Sequence, residues 1–536
     1  MHDLVIRNAT IVDGTGAPGC RGDAAVRDGR IVEVGAVGET GNRVIDADGL
    51  VLAPGFIDMH SHSDHYLLVN PVAESKAAQG VTTEVCGNCG YSPAPLLDAR
   101  ERAEIQEYLG KHGVEADWTS VAEYFAALES SGIAVNFMTL VGHGSLRAGV
   151  VGYDDRPATP EEMDRMKSEV AKAMDDGAIG VASGLIYAPG CYGGTEELTE
   201  ICRPAGERGG IYATHMRSEG DFVVESVQES IAIGEGSGCR VQISHHKACG
   251  PANWGKVRDT LRLIEEARAR GVDVAADQYP YVATATGLSA NLPNWAHDGG
   301  DEQLLARLQD GTVLPRLRRE TVEHVEQGYA DPIRGWRDVV VSNVRSEANK
   351  WAEGLGLDAV AARWGVEPVD ALFRLLVEEK AHAGMIHFTL CEEDVETVMR
   401  RPYVMVGSDA TARATTGPLA TGKPHPRTFG TFPRVLAEYV RTRGVIPLEE
   451  AVRKMTSLPA SRLGLTDRGR IAPGLVADLV LFDPANVRDV ATFGDPFHLP
   501  EGIPYVFVSG VATIDDSAVT GNLPGRCLRH TAQAGR

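Results

Sequence analysis

Between Val51 and Asp409 the chain repeats one pattern: a short apolar, β-rich run, then a segment with helical spacing or turn residues. The runs are VLAPGFIDM, VTTEV, AVNFMTLV, AIGVASGLIY, GGIYATH, RVQISHH, VDVAADQYPY and YVMVGSD. Few folds accept such a chain. Parallel neighbouring strands need a long crossover, usually a helix, and about eight such repeats close into a (β/α)8 TIM-like barrel. The intervening helices are legible where their ends are marked. Thr159-Pro160-Glu161-Glu162 supplies an N-cap threonine, a proline at the first helical position and a glutamate three residues on, a capping box. Met163, Met166, Val170, Ala173 and Met174 then recur at three- and four-residue spacing until Gly177, so this methionine stripe is a helix core face. A second helix is expected over Lys256 to Arg270.

The two ends of the chain differ from this middle. Residues 1–53 alternate polar and apolar and break at Gly and Asp-Gly turns, and RGRIAPGLVADLVLFDP and IPYVFVSGVATID near the other end do the same. We therefore expect residues 1–53 and 468–536 to build one small β-sandwich domain, with the barrel over 54–467. Residues from about 288 to 337 leave the alternation, with ANLPNWAHDGGDEQ and a charged helical run. An insertion over the barrel mouth is expected there.

Composition excludes several partners. The formal charge of -22 in 536 residues argues against nucleic acid and anionic membrane, both of which select basic surface. No apolar run approaches the ~18 residues of a membrane span, and MHDLVIRNATIVDG has no basic region ahead of an apolar core. Nine scattered cysteines, an odd number, fit a reducing cytoplasmic setting better than a disulfide framework. Oligomeric state is left open.

Chemistry concentrates at the ends of the predicted barrel strands: His60 and His62 after the first, Cys89 after the second, then His215, His245 and Asp409. Singly, each is explained as a core or surface residue, and an H-x-H pair or a lone CxxC is a weak signal. In a strand, residues two apart point the same way, so His60 and His62 share a face, whereas His246 points away from His245 and suits a supporting role. Imidazole and thiolate suit Zn(II), and a catalytic zinc keeps an open position for water whose pKa it lowers to about 7. A carboxylate beside that water takes its proton and later delivers it to the leaving amine. Asp409 is the carboxylate at a strand end with that freedom. Two cations are placed to hold an anionic substrate: Arg427, in HPRTFG after the last strand, and Lys247, beside His245.

The strings GFIDMHSHSD, GVTTEVCGNCGYSPAP, ATHMRSEG, QISHHK, DQYPY, GSDA and KPHPRTFGTFPRVL resemble the N-acyl-D-amino-acid deacylase (D-aminoacylase) family of the amidohydrolase superfamily. TSLPASRLGL and RGRIAPGLVADLVLFDP extend the resemblance to nearly the whole chain. It implies one tight zinc site at Cys89, His215 and His245, and a second, weaker site near His60, His62 and Asp409 that shares Cys89. Many other amidohydrolases bridge two metals with a carboxylated lysine ending the fourth strand. AIGVASGLIY has no lysine, which leaves the bridging place to Cys89. The resemblance further implies a small N-acyl-D-amino acid as substrate, Asp409 as proton shuttle and Tyr279 at the substrate carboxylate, and Tyr187 is placed to hydrogen-bond the scissile carbonyl. TGLSANLPNWAHDGG, expected to cover the pocket, offers Leu288, Leu292 and Trp295 and no lysine or arginine, so neutral, hydrophobic side chains are expected. Two alternatives stand beside this: a cyclic-amide hydrolase of hydantoinase or dihydroorotase kind, and a non-catalytic scaffold on the same fold.

Overall fold

The computed structural model describes residues 1–327 and 332–530. Residues 328–331, inside the expected insertion, and the last six residues of the expected terminal domain lie outside the described residues.

Eight parallel strands form the barrel: β1 (Phe56–Asp58), β2 (Val81–Cys86), β3 (Asn136–Thr139, continued by Val141–Gly142), β4 (Gly180–Gly184), β5 (Ile211–His215), β6 (Arg240–Ile243), β7 (Val274–Gln278) and β8 (Val404–Val406). Parallel pairing runs from β1 through β3 and from the β3 continuation through β8. The ring closes where the Met59 N–H donates to the Val406 carbonyl at 3.4 Å and Ser61 bridges Ala410 in parallel. Side chains alternate across each strand. Met59, Met138, Ala182, Ala213, Ala275 and Met405 meet in one cluster, while Val181, Tyr212 and Val241 pack against the surrounding helices. The helix Pro160–Asp176 begins on the Thr159 capping box and ends at Gly177, in the left-handed region at φ 114°. Its Met166, Val170, Ala173 and Met174 are buried, and Met163 is partly so.

Strands from both chain ends make one nine-stranded sheet. The ends meet where Val51–Pro54 pairs antiparallel with Leu479–Phe482, and His2–Ile11 lies parallel to Val51–Pro54 on its other side. The last described segment leaves this sheet and lies along β3, with Phe137 bridging Cys527 in parallel.

The insertion is larger than the alternation suggests. Val339–Asn343 and Gly384–His387, two strands absent from the sequence-based series, do not join the barrel. They pair antiparallel with each other, and Gly384–His387 also pairs with Thr284–Gly287, in a separate three-stranded sheet. Around it Leu288, Leu317, Val341, Leu372 and Met385 form a core of their own. A local run of β-branched residues specifies a strand; its partner is chosen by tertiary contact. No described helix is long and apolar enough to cross a membrane.

Candidate metal centre and active site

At the C-terminal mouth of the barrel two groups of donor atoms meet. Cys89, His215 and His245 form one, and His60, His62, Cys89 and Asp409 the other, with all donor atoms in each group within 4.8 Å of one another. The Cys89 Sγ lies 3.4 Å from His60 Nε2 and 3.3 Å from His245 Nε2, so the thiol stands between the two groups. Asp409 Oδ1 is 3.1 Å from His62 Nε2 and 3.5 Å from His60 Nε2. Neither ring nitrogen of the buried His215 has a hydrogen-bond partner. Such an orphaned imidazole costs free energy unless something binds it. With one thiol and two imidazoles converging, the residues fit a zinc ion.

Local backbone strain marks the same place. Cys89, His245 and Asp409 have φ of 53°, 37° and 51°, in the left-handed region that costs a non-glycine residue about 1–3 kcal/mol. Each follows a barrel strand and turns its side chain back toward the axis. Burial alone would raise the Cys89 thiol, but the neighbouring His60 and His245 rings hold it well below the usual thiol range. Burial likewise opposes ionisation of Asp409, and Arg427, His245 and His62 outweigh it, keeping the carboxyl well below its ordinary range.

The β4 end explains why a cysteine stands in this position. A Cβ on Gly184 would lie 2.0 Å from the Cys89 carbonyl oxygen, and a Cβ on Gly90 would lie 2.6 Å from the Gly184 nitrogen. The β2 loop therefore lies directly across the end of β4. It fills the space through which a β4 side chain would reach the axis, and it carries Cys89 there. Gly184→Ala should push this loop outward and lower the zinc retained after desalting, measured by atomic emission, at least about tenfold, because ligand geometry controls affinity. Full zinc retention in a folded variant would sink this account of the loop.

Several supporting residues carry no role in the sequence-based reading. Asp277, one residue before the end of β7, accepts the His245 backbone N–H at 2.7 Å, accepts from Gln242 at 2.8 Å and sits 3.2 Å from His60 Nδ1. Glu219 lies 2.9 Å from His245 Nδ1 and 3.6 Å from His215 Nε2. Asp277 and Glu219 so orient the His60 and His245 imidazoles, as partners of metal-binding histidines generally do. Beneath them the fully buried Lys76 donates to Asp58 at 2.7 Å, Ser61 at 3.0 Å, Ser408 at 2.7 Å and the Ala410 carbonyl at 2.8 Å. This network ties β1 to the end of β8 and so sets His60 and His62 against Asp409. Asp277 and Glu219 stand in DQYPY and ATHMRSEG, but charge in a string does not say which way a side chain turns.

The substrate-directed residues divide. Arg427 opens the helix Arg427–Arg434, places Nη1 2.8 Å from Asp409 Oδ2, and lies over the Tyr279 ring at 4.6 Å. The buried Tyr279 hydroxyl has no hydrogen-bond partner. Lys247 is engaged, by Glu219 at 2.5 Å and His245 Nδ1 at 2.7 Å. Tyr187 holds its hydroxyl on Thr286 at 2.8 Å, with its ring 5.1 Å from that of His215. His246 turns away to Thr260 at 2.8 Å, and burial lowers its pKa to about 4. All three expected pocket residues pack in the insertion's own core, and of them only Leu292 also lines the cavity. That cavity has a volume of about 1840 Å³.

Comparison with known proteins agrees with this geometry. A family model described as Amidohydrolase family matches residues 43–514. D-aminoacylase from Alcaligenes xylosoxydans xylosoxydans is 40% identical over 531 residues, covering 99% of this chain and 98% of that one. A solved D-aminoacylase, described as having a binuclear metal centre with one-metal activation and second-metal attenuation, superposes with TM-score 0.83 at 38% identity, covering 99% of this chain and 100% of its own. N-acyl-D-glutamate deacylase from Bordetella bronchiseptica, solved with zinc and a phosphonate that mimics the tetrahedral intermediate, gives TM-score 0.83 at 35% identity with the same coverage. Fold, donor set and near-complete matches together place this chain in the amidohydrolase family, beside the D-aminoacylases and N-acyl-D-amino-acid deacylases.

Proposed function

We infer that this chain is a zinc-dependent N-acyl-D-amino-acid deacylase, hydrolysing the linear amide to a carboxylate and a free D-amino acid. The observation that carries this is the placement of Cys89, with His215 and His245, beside the Asp409–Arg427 pair in a single cavity. Cys89, His215 and His245 would hold the zinc ion, which would supply a Lewis acid and an activated water at neutral pH. A second, weaker ion fits His60, His62 and Asp409. Asp409, held ionised, accepts the proton of the attacking water and passes it to the departing nitrogen. Arg427 and Tyr279 present donors to the substrate carboxylate. Lys247, already paired with Glu219, contributes positive charge and orients His245. Tyr187 stands beside His215, where its hydroxyl can turn to the scissile carbonyl. A hydantoinase or dihydroorotase chemistry with a bridging lysine finds no residue at Gly184 to supply it. Nine cysteines, all free, suit a reducing cytoplasm.

For the substrate side chain we propose a neutral, hydrophobic preference. Leu292 lines the cavity, with Ala290 and Pro293 beside it. Purified zinc-loaded enzyme, assayed on N-acetyl-D-methionine, N-acetyl-L-methionine, N-acetyl-D-glutamate and a hydantoin, should turn over the first with at least about tenfold higher kcat/KM than the rest, since one misfitting group in a pocket costs about 1–3 kcal/mol. Faster turnover of N-acetyl-D-glutamate would overturn the preference and implicate Arg345, exposed on the cavity wall. Hydantoin turnover alone would overturn the activity.

A further inference from the structure

The cavity is larger than an acetylated amino acid needs. Its 1840 Å³ exceeds the roughly 300–1,000 Å³ that suffices for drug-sized ligands. Part of the excess is walled by aromatic rings on the β1 and β2 loops. Tyr66 stands four residues after His62, Tyr91 two residues after Cys89, and Tyr108 and His112 come from the helix Ala99–Gly110 and the turn after it. All four line the same cavity as the donor atoms. They are held as one cluster through His65, whose ring lies 4.7 Å from Tyr66, 6.5 Å from Tyr91 and 5.4 Å from Tyr108. Tyr108 in turn contacts Tyr66 at 5.6 Å and His112 at 5.3 Å. Most of these contacts are edge-to-face, the arrangement in which rings hold one another. Tyr66, Tyr91 and Tyr108 are nonetheless only partly buried, so ring surface remains open to the cavity.

Direction follows from the site. With the substrate carboxylate at Arg427 and Tyr279 and the carbonyl at Cys89, His215 and His245, the remaining walls are the insertion, which carries Leu292 and is assigned above to the substrate side chain, and the segments after His62 and Cys89, which are left to the acyl group. We propose that Tyr66, Tyr91, Tyr108 and His112 form an acyl subsite for a neutral aromatic acyl group, of phenylacetyl type. Charge narrows the class. Glu101 and Glu104 line the cavity beside these rings, Lys111 is already paired with Glu107 at 2.9 Å, and Arg413, which also lines the cavity, is turned onto the Leu419 and Thr421 carbonyls at 3.3 and 3.1 Å, so a carboxylate-bearing acyl group such as succinyl meets more repulsion than a neutral one.

This subsite rests on the deacylase reading, and acetyl substrate separates the two. Zinc-loaded enzyme is assayed on N-acetyl-, N-phenylacetyl- and N-succinyl-D-methionine, giving kcat/KM ratios relative to acetyl. Wild type should give a phenylacetyl ratio above one and a succinyl ratio below one. Tyr108→Ala and Tyr91→Ala should each lower the phenylacetyl ratio about tenfold, while Tyr108→Phe, which keeps the ring, should hold it. If the alanine variants do not fold, Tyr108→Leu takes their place, with the same expected fall. A ratio unchanged by loss of the ring, or a wild type that prefers succinyl, overturns the subsite. Turnover of none of the three overturns the deacylase reading itself.

Discussion

Asp409→Asn is expected to retain zinc at Cys89, His215 and His245 yet lose about 10²–10⁴ in kcat, the worth of general acid-base help. Asparagine keeps the shape of the side chain and can still contact Arg427 and His62. It cannot hold a proton and return it. In the wild type Arg427 at 2.8 Å and His62 at 3.1 Å keep this carboxyl ionised against its burial, so it is ready to accept before it donates. The loss should therefore fall on kcat, with KM changed little, because the asparagine oxygen can still accept from Arg427, which with Tyr279 holds the substrate carboxylate. Zinc content by atomic emission together with steady-state kinetics on N-acetyl-D-methionine decides it. Near-normal turnover would remove Asp409 from proton transfer.

Cys89→Ala is expected to have the broader effect. The thiol is the donor common to both groups, 3.3 Å from His245 Nε2 and 3.4 Å from His60 Nε2. Its removal leaves two imidazoles in one group and takes the shared atom from the other. Zinc should then fall by at least about tenfold at both sites after desalting, and activity with it, because second and third ligands multiply affinity only when all are present. The left-handed backbone at Cys89 predicts a partial compensation, since Cys89→Gly would relieve about 1–3 kcal/mol of strain while still losing the metal. Thermal unfolding of the zinc-free forms should then rank Cys89→Gly above Cys89→Ala. Zinc retained at wild-type level by the alanine variant would show that His215 and His245 hold it without the thiol.

The two substitutions separate what a linear reading reaches from what it does not. Barrel strands were legible because each is a short apolar run bounded by helical periodicity or a turn, and the helix Pro160–Asp176 because its capping residues interact over three positions. Such signals are local, and local interactions survive in a string. His60, His62, Cys89, His215, His245 and Asp409 were legible for a related reason: each ends or follows a strand, and strands that run in parallel deliver their ends to one face.

The supporting carboxylates were not legible in that way. Asp277 and Glu219 stand in quoted strings, but their contacts run to His60, His245, His215 and Lys247, which lie on other strands or around a turn. The sheet of Thr284–Gly287, Val339–Asn343 and Gly384–His387 was missed for the same cause, since its pairs are distant in sequence and antiparallel. Leu288 and Trp295 were placed at the pocket from composition, and only packing shows that they serve the insertion's core.

By itself the sequence determined that the chain makes a parallel α/β middle flanked by β-rich ends, and which side chains reach the barrel mouth. It also determined that the fourth strand brings no lysine. Tertiary structure decided what fills that vacancy. Without a Cβ on Gly184 the β2 loop can cross the end of β4 with Cys89 in a left-handed turn, and this close approach of two backbones, distant along the chain, is what sets the thiol between His60 and His245.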